Sequence, residues 1–291
     1  MPAVRSTRVA FLGPRGTYAE EALRALAPRW TEAVAYPTVY DTVMAVQTRA
    51  VERAVVPIEN SLEGSVTATL DTLAVDARDV RLVAELELPI RHGLIARRRF
   101  ELAEVERVIS HPQALAQCAR YLRRTLPHAD LASAASTADG VRQVGESEAP
   151  WAALGSPLAA EAYGCEVLAE GVEDDRDNVT RFVLLARSGE GGDAEEHSGA
   201  LKTSIVFSGF NDISPGALVA VLGELSSRDI NLTKIESRPR RLGLGHYMFF
   251  ADLEGGEHSS PVFEALEALR VRVETLHVLG SYPSSSSTPA R

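Results

Sequence analysis

The chain has 291 residues, 45% of them hydrophobic, which is enough for one large or two medium-sized domains with buried cores. Its formal net charge of −10 repels nucleic acid and anionic membrane surfaces, so we expect neither as a partner. The two cysteines, Cys118 and Cys165, lack the spacing of a disulfide framework or a zinc site, and no metal is expected.

The amino-terminal part of the chain alternates apolar runs with helical patterns. Residues 1–8 contain no apolar run of signal-peptide length, so we expect a cytoplasmic protein. The pattern then predicts a strand at 9–12, a helix from Tyr18, a strand near Val34, a helix from Val39 and a strand at 54–58. It resumes with a strand at Arg107–Ser110, a helix after Pro112, strands near Leu131 and Ala153, and a strand from Thr180. This order predicts two α/β lobes, with ligands beyond the carboxyl ends of strands.

Four polar motifs lie at the ends of these predicted strands, at residues 13–17, 59–65, 110–117 and 177–182. Ser110 and Gln113 match a capping box, and Ser110 and Gln117 are seven residues apart, near one line along the same helical side. Thr180 and Arg181 stand side by side at a strand start, where a hydroxyl and a guanidinium can face an anion. Each motif alone also fits an ordinary turn or cap.

Other charged or titratable residues of this region receive structural interpretations. We assign no catalytic role to the following residues: Asp71, Asp76, His92, Arg97, Arg98 and Arg99.

Two segments have the composition of flexible chain. Residues 188–200 are rich in glycine, serine and acidic residues and predict a linker, and residues 282–291 predict a disordered tail. Between them the pattern predicts a strand at 202–207, a helix from Ser214, strands at 230–237 and 246–252, a helix from Pro261 and a strand at 271–279. This βαββαβ order predicts a ferredoxin-like module.

Taken together, the four motifs resemble those of prephenate dehydratases. Gly-Pro-Arg-Gly-Thr-Tyr at 13–18, Glu-Asn-Ser-x-x-Gly at 59–64, Ser-His-Pro-Gln at 110–113 with Gln117, and Asn-Val-Thr-Arg-Phe at 178–182 occur in the family's order and approximate spacing. The resemblance covers residues 8–187 and implies a catalytic domain at 1–187 with two lobes like those of a periplasmic binding protein. It also implies conversion of prephenate to phenylpyruvate, with loss of carbon dioxide and water and without a cofactor.

The resemblance assigns roles to residues by position. Thr180 would donate a hydrogen bond to the leaving hydroxyl, and Arg181 would bind a carboxylate or anchor the adjacent loop. The other catalytic positions it implies are Glu59, Asn60, Ser110 and Gln117. The substrate-binding positions it implies are Ser61, Gly64, Gln113, Asn178 and Phe182.

The segment 201–281 resembles an ACT regulatory domain that binds phenylalanine. The motifs that carry this resemblance are Gly-Ala-Leu-Val at 216–219 and Glu-Ser-Arg-Pro at 236–239. The ligand-binding positions it implies are Asn211, Pro215, Gly216, Ala217, Leu218, Val219, Glu236, Ser237, Arg238 and Pro239. Family members pair such modules, so we expect a homodimer or homotetramer with the ligand between modules. An arogenate dehydratase and a noncatalytic amino-acid sensor are the alternative functions.

Overall fold

The computed structural model describes residues 7–27, 31–190, 200–210, 214–240, 243 and 245–285. Up to residue 89 its elements are β1 (Arg8–Leu12), α1 (Tyr18–Leu26), β2 (Glu32–Tyr36), α2 (Val39–Gln47), β3 (Arg53–Asn60), β4 (Gly64–Ser65), α3 (Thr67–Val75) and β5 (Val80–Pro89). The next elements are β6 (Gly93–Ala96), β7 (Arg107–Ser110), α4 (Pro112–Gln117), α5 (Ala119–Thr125), β8 (Asp130–Ser133), α6 (Thr137–Glu146), β9 (Trp151–Gly155), α7 (Pro157–Tyr163) and β10 (Glu166–Ala169). Strand β11 (Val179–Arg187) then returns to the first sheet.

The first lobe is a sheet in the order β2-β1-β3-β11-β5, with β4 paired to β3. Strand β1 is parallel to β2 and β3, whereas β11 is antiparallel to both β3 and β5. The run of buried residues at 180–186 is typical of a strand covered on both faces. Thr17 and Thr38 cap α1 and α2 by accepting hydrogen bonds from the amides of Glu20 and Asp41.

The second lobe is a sheet in the order β10-β6-β9-β7-β8. The chain crosses between the lobes twice, at residues 90–92 and 170–178, and the lobes face each other across a cleft. Ser156, the cap of α7, donates a hydrogen bond to the carbonyl of Gly16 in the first lobe, at 3.0 Å. The prediction of two α/β lobes is confirmed.

The carboxy-terminal part forms a third sheet with two helices. Its elements are β12 (Leu201–Ser208), α8 (Ala217–Ser226), β13 (Leu232–Pro239), β14 (Tyr247–Glu254), α9 (Ser260–Arg272) and β15 (Thr275–Pro283). The sheet is antiparallel in the order β13-β14-β12-β15. Its core includes Phe207, Leu225 and Leu266, which pack between the sheet and the two helices. The predicted βαββαβ module is confirmed.

The third sheet packs directly on the first lobe. Phe250 and Tyr282 share one hydrophobic core with Leu82 and Leu185 of the first lobe. The backbones approach so closely that a Cβ on Gly280 would lie 2.2 Å from the carbonyl oxygen of Leu82. The predicted tail at 282–291 is wrong at its start, because Tyr282 is fully buried and β15 runs to Pro283.

Residues 191–199 of the predicted linker and 286–291 of the predicted tail lie outside the described residues. In the part of the chain that the structure describes, no helix is long and apolar enough to cross a membrane.

Candidate active site

A cavity of about 350 Å³ lies between the two lobes, at the ends of β1, β3 and β7 and the start of β11. Its position matches the prediction that ligands bind beyond the carboxyl ends of strands. The predicted site residues that line it are Asn60, Gln113, Gln117, Asn178, Thr180 and Phe182.

Asn60 and Thr180 form the centre of this wall. They are direct partners in the ladder between β3 and β11, and Asn60 Nδ2 lies 2.9 Å from Thr180 Oγ1. The orientation of the Asn60 amide is fixed, because its Oδ1 accepts hydrogen bonds from the backbone amides of Leu62 and Glu63. Thr180 therefore accepts a hydrogen bond from Asn60, which leaves the Thr180 hydroxyl proton free to be donated into the cleft.

Two further amides continue this hydrogen-bonded chain along the cleft. Asn60 Nδ2 also donates to Asn178 Oδ1 at 2.8 Å, and Asn178 Nδ2 donates to Gln117 Oε1 at 3.1 Å. Gln117 belongs to α4 of the second lobe, so the chain of amides spans the cleft from one lobe to the other. A ligand held between the lobes would meet a row of side-chain donors.

The described wall of this cleft carries neutral hydrogen-bond donors. Among the described residues that line it, none is a lysine or an arginine. Helices α1 and α6 begin at the cleft, where their capping residues Thr17 and Ser136 line its wall. The free amides and positive dipole ends of such helices favour negatively charged groups.

Arg181 does not line the cleft, and its predicted contact with substrate is not supported. Successive residues of a strand point to opposite faces, so Arg181 faces away when Thr180 faces the cleft. Its Nε donates to Glu85 Oε2 at 2.7 Å, and its two Nη atoms donate to Asp252 Oδ2 at 2.6 Å and to the Tyr282 hydroxyl at 2.8 Å. Arg181 thus joins β11 to the third sheet.

Glu59 shares this reversed orientation. It is the ladder partner of Arg181 on β3, and its carboxylate lies 3.3 Å from Arg181 Nη1 and 2.9 Å from Lys234 Nζ. Burial disfavours the charge of the neighbouring Glu85, but Arg181 and Lys202 beside it hold the pKa of that carboxyl below its ordinary value. These charges form an ionic cluster between the first lobe and the third sheet, in which Glu85, Arg181 and Asp252 are buried.

Three other predicted residues lie outside the cleft wall. Ser110 is fully buried at the end of β7, where its hydroxyl donates to the carbonyl of Leu154 at 2.8 Å. It does not cap α4, because that helix begins at Pro112 and is capped by His111. Ser61 bonds the backbone of Asp177 and Val179, and Gly64 lies in β4 with φ +82°.

The cleft wall also includes Tyr18 and His111, which belong to the motifs at 13–18 and 110–113 but have no role assigned from the sequence, and His92, to which the sequence assigns no catalytic role. Burial lowers the pKa of His92 and raises the pKa of Tyr18. His92 follows β5 in a connecting segment, where no periodicity signals its direction. No sequence motif surrounds His92, although its ring contacts Tyr18 of the first lobe and Gln117 of the second lobe.

A second cavity of about 340 Å³ lies in the carboxy-terminal module, at the start of α8. The predicted ligand-binding residues that line it are Gly216, Ala217, Leu218 and Val219. The rings of Tyr247 and Phe249 complete its wall. Asn211 lies outside the described residues, and Pro215 adjoins the cavity in sequence.

The motif at 236–239 lies on the edge strand β13 and has two distinct faces. Glu236 contacts Ser65, and Arg238 binds Asp71 of α3 at 3.0 Å, so both side chains hold the first lobe. Ser237 and Pro239, together with Ile235, are exposed on the other side of the strand. Within the motif, Ser237 and Pro239 are the residues that face away from the first lobe.

Across residues 7–27, 31–190, 200–210, 214–240, 243 and 245–285, no three His, Cys, Asp or Glu side chains gather closely enough to hold a metal ion. Cys118 is buried and Cys165 is half-buried.

Comparison with known proteins connects this cleft to one enzyme family. A family model described as prephenate dehydratase matches residues 9–190, and one described as ACT domain matches residues 205–271. A prephenate dehydratase from Mycolicibacterium vanbaalenii is 40% identical over 290 residues, covering 95% of this chain and 91% of its own length.

Several solved structures also cover nearly the whole chain. A prephenate dehydratase from Arthrobacter aurescens in complex with L-Phe has a TM-score of 0.87 and 38% identity, with 98% of this chain and 92% of that chain covered. A protein described as GqqA, a novel type of quorum-quenching acylase, has a TM-score of 0.83 and 30% identity, with 97% and 98% covered. With a family model matched across the cleft and a relative aligned over almost its full length, the chain belongs to the prephenate dehydratase family and carries a carboxy-terminal ACT domain.

Proposed function

We propose that this chain converts prephenate to phenylpyruvate in the cleft between its two lobes and is inhibited by L-phenylalanine bound at its ACT domain. The observation that carries the catalytic part is the direction of the hydrogen bond from Asn60 to Thr180. Because Asn60 supplies a proton to that bond, the Thr180 hydroxyl acts as a donor towards the substrate.

The reaction requires little chemistry from the protein. The electron pair of the bond between the ring and its carboxylate enters the ring, which becomes aromatic as carbon dioxide leaves. The bond from the ring to the C4 hydroxyl breaks at the same time, and the departing oxygen takes up one proton to leave as water. Thr180 donates a hydrogen bond to that oxygen, and solvent supplies the net proton. A positioned donor of this kind contributes about 10²–10³ in turnover.

Substrate recognition in this proposal uses neutral groups. Prephenate carries two carboxylates, and the starts of α1 and α6 together with Gln117 and Gln113 provide donors for them. Neutral donors also explain how an acidic protein can bind a dianion without a lysine or arginine in its described cleft wall. Arogenate differs by an ammonium group in place of the keto group and remains the alternative substrate.

Two rival functions make different demands on Thr180. An acylase, as described for one structural neighbour, would need a nucleophile activated by an adjacent base. Thr180 is hydrogen-bonded to the amide nitrogen of Asn60, which is not a base. A noncatalytic sensor would not require the Thr180 hydroxyl to be oriented as a donor towards the cleft.

The regulatory part of the proposal rests on the cavity at residues 216–219 and on the exposed face of β13. Phenylalanine would bind where Gly216 of one module approaches residues 236–239 of a second copy, in a dimer or tetramer. In this arrangement Ser237 and Pro239 contact the ligand or the neighbouring module, while Glu236 and Arg238 keep their contacts with the first lobe. The proposed domains are 1–187 for catalysis, 188–200 for the linker and 201–283 for the ACT module, in a cytoplasmic enzyme.

The test is an assay of the purified protein with prephenate and arogenate side by side, with and without L-phenylalanine. Ultraviolet absorbance of phenylpyruvate reports the first reaction, and amino-acid analysis of phenylalanine reports the second. We expect turnover of prephenate that L-phenylalanine reduces. Turnover of arogenate alone would indicate an arogenate dehydratase, and acylase activity without either elimination would indicate an acylase. Either result would contradict the proposal.

A further inference from the structure

His92 is a buried histidine that the mechanism above leaves without a role. It lies between β5 and β6, is 2% exposed, and its ring meets that of Tyr18 edge to face. Its Nδ1 lies 2.9 Å from the Tyr18 hydroxyl, and its Nε2 lies 3.1 Å from Gln117 Oε1. The ring therefore touches the chain of amides that ends at Thr180.

The donor and acceptor of each hydrogen bond in that chain of amides follow from the orientation of Asn60, at the end next to Thr180. The two backbone amides that bind Asn60 Oδ1 force the Asn60 nitrogen towards Asn178 Oδ1. The Asn178 nitrogen must then face Gln117, so Gln117 Oε1 is the atom that points at both Asn178 and His92. A carboxamide oxygen only accepts hydrogen bonds, and the His92 nitrogen facing it must carry a proton.

We propose that His92 is a positioning residue for the dehydratase reaction, with a proton on Nε2 that holds the Gln117 carboxamide in one orientation. This inference rests on the proposed function. With its oxygen held by His92 and Asn178, Gln117 presents its amide nitrogen to the cleft as a donor for a substrate carboxylate. Loss of the His92 proton donor would free Gln117 to rotate and would loosen Asn178 and Asn60 behind Thr180.

The surroundings of Nδ1 fit the same assignment. Burial lowers the pKa of His92, which favours the neutral ring even though Glu173 and Gln117 act in the opposite direction. A neutral ring with a proton on Nε2 has a bare Nδ1, and the Tyr18 hydroxyl can donate to it. The Tyr18 hydroxyl donates to the carbonyl oxygen of Arg91 at 2.7 Å, and the same proton can be shared with the bare Nδ1 at 2.9 Å.

The direct test is the protonation of His92 in the full-length protein without substrate. Protein labelled with nitrogen-15 in histidine is studied by two-dimensional NMR near neutral pH, and the His92 ring is assigned by its absence in His92→Gln. His128→Gln, at an exposed position, is the matched control for assignment. We expect a protonated Nε2. A bare Nε2 would overturn the proposal, whether or not the protein turns over prephenate.

A kinetic comparison tests the positioning role. His92→Gln can place an amide proton near the position of Nε2, whereas His92→Phe fills the same space without a donor. We expect His92→Phe to lower kcat by about 10-fold to 10²-fold, with a smaller change in KM, and His92→Gln to recover most of the loss. Equal kcat for the two variants, with equal thermal unfolding midpoints, would show that only packing matters and would refute the role.

Discussion

Asn60 and Thr180 are direct partners across β3 and β11, with the Asn60 amide nitrogen 2.9 Å from the Thr180 hydroxyl oxygen. The preceding residue on β3 and the following residue on β11, Glu59 and Arg181, are also partners, and they face the opposite side. One pair of strands therefore carries the proposed reaction centre on one face and the ionic cluster with the ACT domain on the other. The ACT domain holds the same strand that positions Thr180.

The first prediction concerns the donor role of Asn60. Asn60→Asp replaces the amide donor by an acceptor, so the Thr180 proton would turn towards residue 60 and away from substrate. We expect kcat to fall by about 10²–10³. The double variant with Thr180→Val should lose little beyond either single variant, because the two residues act as one unit. Glu63→Gln, at an exposed position nearby, is the control. If the loss of kcat in the double variant equalled the product of the two single losses, Asn60 and Thr180 would not act as one unit.

The second prediction reverses what the sequence suggests for Arg181. Because Arg181 contacts Glu85, Asp252 and Tyr282 in place of substrate, Arg181→Met should leave KM for prephenate within about twofold. It should lower the free energy of unfolding by about 3–5 kcal/mol, since it leaves buried carboxylates without their partner. Arg181→Lys should lose less, because the charge remains while the fork geometry is lost. Urea unfolding and steady-state kinetics check both, and a large rise in KM with unchanged stability would restore the substrate-binding role.

The third prediction is a pH dependence of stability that arises from Glu85. Its pKa is lowered in the folded protein, against the opposing effect of burial, by Arg181 and Lys202. A lowered folded pKa gives stability that is complete above the unfolded value near 4.5 and is lost as pH falls through the folded value. The difference in unfolding free energy between wild type and Glu85→Gln should therefore be constant at neutral pH and shrink below pH 4.5. Glu87→Gln, exposed on the same strand, is the control, and a difference that grows on acidification would exclude this linkage.

The fourth prediction concerns Gly216 at the start of α8. Its φ is +81°, a conformation that valine rarely adopts, although a Cβ there would meet no atom within 4 Å. Gly216→Val should therefore distort the wall of the ACT cavity and abolish L-phenylalanine binding in calorimetry. Gly223→Ala, in open space within the same helix, should bind normally. If Gly216→Val bound L-phenylalanine as strongly as wild type, the proposed phenylalanine site in this cavity would be wrong.

Regular local signals predict much of the fold correctly. Helices α1 and α2 begin at Tyr18 and Val39 as expected, because Thr17 and Thr38 supply side-chain caps. The βαββαβ order of the ACT domain follows from its alternating strand and helix patterns. Strand β5 is not predicted, because Glu85 and Glu87 interrupt its apolar pattern. Glu85 can be buried because it pairs with Arg181, which lies 96 residues away in the chain.

The candidate site is predicted only in part, for a physical reason. Adjacent polar residues of a motif look like one site in the sequence, but strand alternation sends Thr180 and Arg181 to opposite faces. The same alternation separates Asn60 from Glu59. Which member of each pair faces the cleft depends on how β3 and β11 pair and on where the third sheet packs, and these are long-range contacts.

The most direct test of the proposed mechanism is the turnover of prephenate by Thr180→Val. Valine keeps the shape of threonine and removes only the hydroxyl that accepts from Asn60 and faces the cleft. Phenylpyruvate formation is followed by ultraviolet absorbance for wild type, Thr180→Val and Thr180→Ser under the same conditions. The mechanism predicts a fall in kcat of about 10²-fold or more for Thr180→Val, little change in KM, and partial activity in Thr180→Ser. Turnover near that of wild type in Thr180→Val would contradict it.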